Sequence, residues 1–154
     1  MEAGQVANKA GVVKRLAGST TARTNTLSGW CEKALYIDGK PFTFAGRSHL
    51  RRIYDAIAPF VFLMCGRGVE KSTYLGCFST AMMARFPFFR ILYVSASRQQ
   101  ALDFSRDQLE QRLTSPYLRA AHFDPRICDN NAFLKSFLNG SKIRLRHMFN
   151  TADR

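Results

Sequence analysis

Phe60-Val61-Phe62-Leu63-Met64-Cys65-Gly66-Arg67-Gly68-Val69-Glu70-Lys71-Ser72-Thr73 is the stretch on which the reading of this chain turns. Its opening run, Phe60 to Met64, is apolar without a break, the pattern of a short strand buried on both faces of a parallel sheet. A glycine-bearing loop follows, and then Leu75, Phe78, Met82 and Phe86 recur at helical spacing until Pro87 ends the helix. Strand, loop and helix in that order gather backbone N–H groups at a helix N-terminus, where they attract phosphate oxygens. A lysine at the helix start can reach the β and γ phosphates, and the next hydroxyl can ligate Mg²⁺. Those roles fall to Lys71 and Ser72. The common form of the loop places glycines where this chain has Cys65 and Glu70. A non-glycine held in left-handed geometry costs ~1–2 kcal/mol, and a carboxylate facing a triphosphate adds repulsion. Glu70 is therefore expected to point away, or the loop to differ.

Outward from this stretch the pattern repeats. Ile91-Leu92-Tyr93-Val94 is a second apolar run, closed by Ser95-Ala96-Ser97 and followed by a helix carrying Leu102, Leu109 and Leu113. The alternation predicts an α/β fold with parallel strands, its working loops, Cys65 to Glu70 and Ser95 to Ser97, at the strands' carboxyl ends. Ser95 and Ser97 suit either a ligand contact or the cap of the next helix. Upstream, Trp30 to Phe44 is strand-like around Asp38-Gly39, which predicts a hairpin. Between Gly46 and Ala58, Leu50, Ile53, Tyr54 and Ile57 mark one helix face and Arg47, Arg51, Arg52 and Asp55 the other. Downstream, Asn139-Gly140 predicts a two-residue hairpin turn. Its register puts Leu134, Leu138, Ile143 and Leu145 on one side and Phe133, Lys135, Phe137, Lys142, Arg144 and Arg146 on the other. Lys142, Arg144 and Arg146 fit a DNA-backbone track and a charge-blunted strand edge equally.

Gly66-Arg67-Gly68-Val69-Glu70-Lys71-Ser72-Thr73 resembles the deviant Walker A loop of the large terminase subunits of tailed phages. Ile91 to Ser97 and the helix after it, bearing glutamine and arginine, are similar to an element that these motors share with helicases. The resemblance spans roughly Asp38 to Arg154 and implies a P-loop NTPase-like parallel sheet, partial and flanked by helices, with β-hairpins. It implies that residues 66–73 (Gly66, Arg67, Gly68, Val69, Glu70, Lys71, Ser72, Thr73) bind ATP, with Ser72 on Mg²⁺ through the nucleotide. Arg67 matches the arginine that the family uses within one subunit to stabilise charge on the transferred phosphoryl group; a surface or loop-bracing arginine is the other reading. Adenine recognition in the family comes from upstream of the loop, where Phe44 and Tyr54 are the aromatic candidates, each equally readable as core. The implied activity is ATP-driven pumping of double-stranded DNA into a procapsid, in the host cytoplasm at the portal. Portal protein, a small terminase subunit and further copies of the chain are the implied partners. Family members go on to a Walker B strand ending in Asp-Glu and to a nuclease domain, neither of which is expected before Arg154, so turnover by this chain alone is not expected. A helicase-like ATPase and a basic nucleic-acid-binding module with an empty loop are the alternatives.

Composition agrees with a polyanionic partner: among 154 residues, 23 Lys and Arg face 11 Asp and Glu, for a formal charge of +12. With 46% hydrophobic residues the chain can bury a core. Residues 1–28, small and polar with Lys9, Lys14, Arg15 and Arg23, are expected to be a basic flexible arm ahead of a partial ATPase domain over 29–154. No run approaches the ~18 apolar residues of a membrane span and no signal stretch opens the chain, so a soluble intracellular protein is expected. Cys31, Cys65, Cys77 and Cys128 lack metal-site spacing and are expected to be buried reduced thiols, and His49, His122 and His147 show no ligand arrangement.

Overall fold

The computed structural model describes residues 26–56 and 58–148. The expected arm up to residue 25, Ile57 and the end of the chain from residue 149 lie outside the described residues.

Residues 27 and 28, assigned to the arm, instead open a helix, α1 (Leu27–Ala34), whose N-cap Thr26 accepts from the Gly29 N–H at 3.1 Å. Cys31, Ala34 and Leu35 are buried by it, so the strand expected from Trp30 starts only at Tyr36. The short hairpin β1 (Tyr36–Ile37) and β2 (Lys40–Pro41) turns where expected, with Asp38 and Gly39 both at positive φ, 52° and 74°. A single 3₁₀ turn, Ser48–Leu50, runs into the short α2 (Arg51–Asp55), which buries Tyr54. Its outer Asp55 receives the Ser28 N–H and hydroxyl, both at 2.8 Å, tying α2 to α1.

Residues 58–65 do not form the expected strand. Phe60 and Phe62 stand 94% and 91% exposed, with Met64 beside them in the open. A strand needs a hydrogen-bonding neighbour, and the sheet among the described residues is assembled without this segment. The helix after the loop, α3 (Lys71–Arg85), does form and ends before Pro87. Its core face is Tyr74, Cys77, Ala81 and Ala84, not the expected stripe, of which Leu75 and Phe86 are exposed and Phe78 and Met82 half-buried.

β3 (Arg90–Ser95) then leads into one long helix, α4, which begins as Arg98–Asp103, widens into a π-helical stretch at Phe104–Glu110 and closes as Gln111–Leu113. Ser97 caps it, accepting from the Gln100 N–H at 3.3 Å; of the two roles open to this residue, the structure displays the capping one. α5 (Pro116–Ala121) carries proline at its first turn, where the missing N–H costs nothing. β4 (Asn130–Asn131), β5 (Leu134–Ser136) and β6 (Lys142–His147) complete the sheet, in the order β3-β6-β5-β4. Only β3 and β6 run parallel; β5 and β4 add antiparallel strands, so the sheet is mixed rather than parallel.

The second hairpin differs from expectation by one residue, and this changes both faces. Phe137 N–H donates to Ser141 O, so the loop is Leu138-Asn139-Gly140 with Gly140 at φ 80°, and Leu134 pairs with Arg144. A shift of one residue exchanges the faces of a strand. Lys135 and Phe137 thus turn inward beside Ile143, while Leu134 joins Arg144 on the outer face and Leu138 is exposed. Lys135 is 1% exposed; its ammonium donates to Glu110 Oε1 at 3.1 Å and Asn130 Oδ1 at 2.8 Å. Tyr93 stacks on Phe104 of α4 with ring centroids 3.9 Å apart, so α4 lies against the inner face with Ile143 and Leu145. Leu92, Val94, Arg144 and Arg146 share the opposite face and are exposed. Helices expected on both faces cover only one among the described residues.

Three of the four cysteines are buried and free; Cys65, at the head of the loop, is exposed. Among the described residues no helix is long and apolar enough to cross a membrane.

Candidate functional site

The loop between residues 65 and 71 meets α3 at Lys71, with the fold bringing Arg67, Gly68, Val69, Glu70, Lys71, Ser72 and Thr73 around one shallow depression of about 360 Å³. Gly68 takes φ 79°, which glycine alone adopts without strain. Lys71 bends back over the loop and donates from Nζ to Cys65 O at 3.1 Å and to Gly66 O at 2.5 Å. A lysine so placed holds one cationic group at the loop's mouth, satisfied by neutral carbonyls that it can exchange for charged oxygens. Arg67 lies exposed on the same rim, with no hydrogen bond or ion pair among the described residues. Ser72 is exposed at the helix start and also borders a polar depression with Gln100, Asp103, Asp107 and Gln108 of α4.

Glu70 resolves the difficulty that its position poses. It does adopt left-handed geometry, φ 49° and ψ 27°, while its carbonyl accepts the first helical bond from Tyr74 N–H at 2.8 Å. Its carboxylate turns away from the loop's mouth to pair with Arg47, each side chain 32% exposed. Glu70 Oε2 is buried with no hydrogen-bond partner among the described residues. The left-handed backbone costs ~1–2 kcal/mol, whereas an ion pair at this exposure returns about 0–1 kcal/mol. Stability alone does not account for a glutamate here.

Behind the loop, Phe42, Phe44, Tyr54 and Tyr74 form one aromatic cluster, with Phe44–Tyr54 and Tyr54–Tyr74 centroids 4.8 and 5.0 Å apart. Phe44 and Tyr54, the two candidates for contact with a base, are fully buried core. Burial pushes the Tyr54 and Tyr74 phenols above their ordinary pKa. A cavity of about 280 Å³ nevertheless opens beside them, lined by apolar side chains including Leu50, Ile53 and Leu63 and bordered by Glu70 and Lys71.

A contact that sequence patterning did not reveal braces the loop from the far side. Arg112, 1% exposed near the end of α4, donates from Nη2 to Thr73 O at 3.1 Å and Gln108 Oε1 at 3.1 Å, from Nη1 to Gln108 O, and from Nε to Cys77 Sγ at 3.3 Å. Its guanidinium lies flush on Gly76, where an added Cβ would come within 2.9 Å of Cζ. The only sequence signal was the glycine inside α3, a mark of close approach.

Lys142, Arg144 and Arg146 are not part of this site. They lie on the outer sheet face, Lys142 paired with Asp129 at 3.3 Å and the two arginines exposed beside Leu92 and Val94. Phe133, expected alongside them, carries Arg98 over its ring at 5.6 Å. No group of three or more His, Cys, Asp or Glu among the described residues could hold a metal ion unaided. No protein-family model, curated protein or solved structure matches the chain.

Proposed function

We propose that residues 66–73 bind the triphosphate of ATP, and that the chain is the nucleotide-binding part of a terminase-like motor that moves double-stranded DNA into a procapsid. The observation that carries the reading is Lys71, at the first position of α3 with its ammonium folded over the Cys65 and Gly66 carbonyls. In this reading Lys71 exchanges those carbonyls for β and γ phosphate oxygens, while loop N–H groups take the remaining charge. The Ser72 hydroxyl would hold Mg²⁺ together with the phosphates. Bound there, the ion neutralises phosphate charge. Arg67, exposed on the same rim, would follow charge onto the γ phosphate.

Titration of the chain with MgATP by calorimetry is the test: saturable one-to-one binding is expected, and no heat and no thermal stabilisation at millimolar nucleotide would remove the reading.

A second reading, a basic nucleic-acid-binding module with an empty loop, is favoured by the uncovered sheet face with Arg144 and Arg146. Both readings expect salt-sensitive DNA binding through this face. Neutralising Lys142, Arg144 and Arg146 together should flatten the slope of log K against log salt by about 2–3, at roughly 0.9 per lost phosphate contact. An unchanged slope would take DNA off this face. Only the motor reading expects MgATP to alter the DNA affinity.

A further inference from the structure

The carboxylate of Glu70 sits one residue from Lys71 and shares the loop with Arg67, the two cations on which phosphate binding would depend. Left without a partner, it would take one or both of them and cancel the loop's charge, or stand unpaired against the incoming phosphates. The structure shows a different partner. Arg47 meets Glu70 Oε1 from a segment 23 residues upstream, and it is held there by its own contacts. Its Nε donates to Thr43 O at 3.2 Å, its backbone N–H to Phe44 O at 3.0 Å, and its guanidinium lies over the Phe42 ring at 5.5 Å. The Phe42 ring beneath it belongs to the same aromatic cluster as Tyr74 of α3, so Arg47 and the helix start pack on one cluster. Glu70 makes this pair from a left-handed backbone, φ 49°.

We infer that Arg47 is a positioning residue for phosphate binding: it holds the Glu70 carboxylate out of the loop and so keeps Lys71 and Arg67 available to a nucleoside triphosphate. The inference rests on the phosphate-loop reading and deepens it, since it makes a loop with glutamate before its lysine competent only in the presence of a distant arginine.

MgATP affinity of the full chain in four forms tests it: unaltered, Arg47→Ala, Glu70→Gln and the double variant, with Arg47→Lys as a charge-retaining control and a thermal melt of each. Arg47→Ala should weaken binding about tenfold and Arg47→Lys by less than about threefold. In the Glu70→Gln background, where no carboxylate needs restraint, the same Arg47→Ala change should cost less than about twofold. A loss equal in both backgrounds, or none in either, would overturn the role given to Arg47 while leaving the loop a nucleotide site. Failure of the unaltered chain and of Glu70→Gln alike to bind would overturn the phosphate-loop reading, and the inference with it. Should Arg47→Ala unfold, Arg47→Lys and Arg47→Met compared in the two backgrounds carry the same decision.

Discussion

Arg112→Ala should destabilise the protein by about 3 kcal/mol, the largest loss expected from a single side chain here. The residue is a long side chain with 1% exposure that satisfies acceptors on two helices, Gln108 on its own and Thr73 on α3. Truncation leaves a cavity against Gly76, strips Gln108 Oε1 of a donor, worth ~1–3 kcal/mol when left unpaired, and takes from Thr73 O the donor it has beyond its own helix. Relief works in the other direction: none of the guanidinium's hydrogen-bond partners is a carboxylate, and a buried cation without one is costly. The balance sets the expected figure below the simple sum. Urea denaturation followed by circular dichroism reads it directly, and a loss under about 1 kcal/mol would mean that α3 and α4 are not held together by this group.

Lys71→Ala should weaken MgATP binding by about 100-fold, corresponding to one strong charge-assisted contact of ~3 kcal/mol. Its cost in stability should be small by comparison, because Nζ now bonds only exposed loop carbonyls that water can serve as well. The two measurements diverge, and that divergence is the diagnostic: a calorimetric titration beside a thermal melt should show affinity lost and the melting temperature nearly kept. Equal affinity in the variant would remove Lys71 from the phosphates.

What the sequence disclosed and what it concealed divide along a physical line. Local signals were legible: the Asp38-Gly39 turn, the helix beginning at Lys71, the strand at Ile91 to Val94 and the serine cap at Ser97 each depend on neighbours a few residues away. The helix that Thr26 caps, with Leu27, Cys31 and Ala34 on its buried side, was not anticipated, because the polar stretch before it hid its start. Asn139-Gly140 marked a turn but not its length, because glycine at positive φ closes a three-residue loop as readily as a two-residue one. That single residue of register decided the burial of Lys135, and its anchor, Glu110, lies 25 residues away on another element. For the same reason Arg47 could be placed on a wet helix face but not paired with Glu70. The apolar run from Phe60 to Met64 has strand composition, and composition does not supply a neighbouring strand.

The π-helical stretch of α4 places a constraint on how this chain can change over evolutionary time. Such a stretch is an α-helix that has absorbed one extra residue, and every side chain beyond it is rotated by about 100° relative to the helix without it. Arg112 follows the stretch. Loss of any one residue between Phe104 and Glu110 other than Gln108 would leave every contact-making residue of the brace in the sequence and swing its guanidinium away from Gly76. Insertions and deletions are ordinarily tolerated in loops and rejected in helices for reasons of packing. Here the length of a single helical segment, as much as the identity of any residue in it, decides whether the helix start at Lys71 is braced from behind.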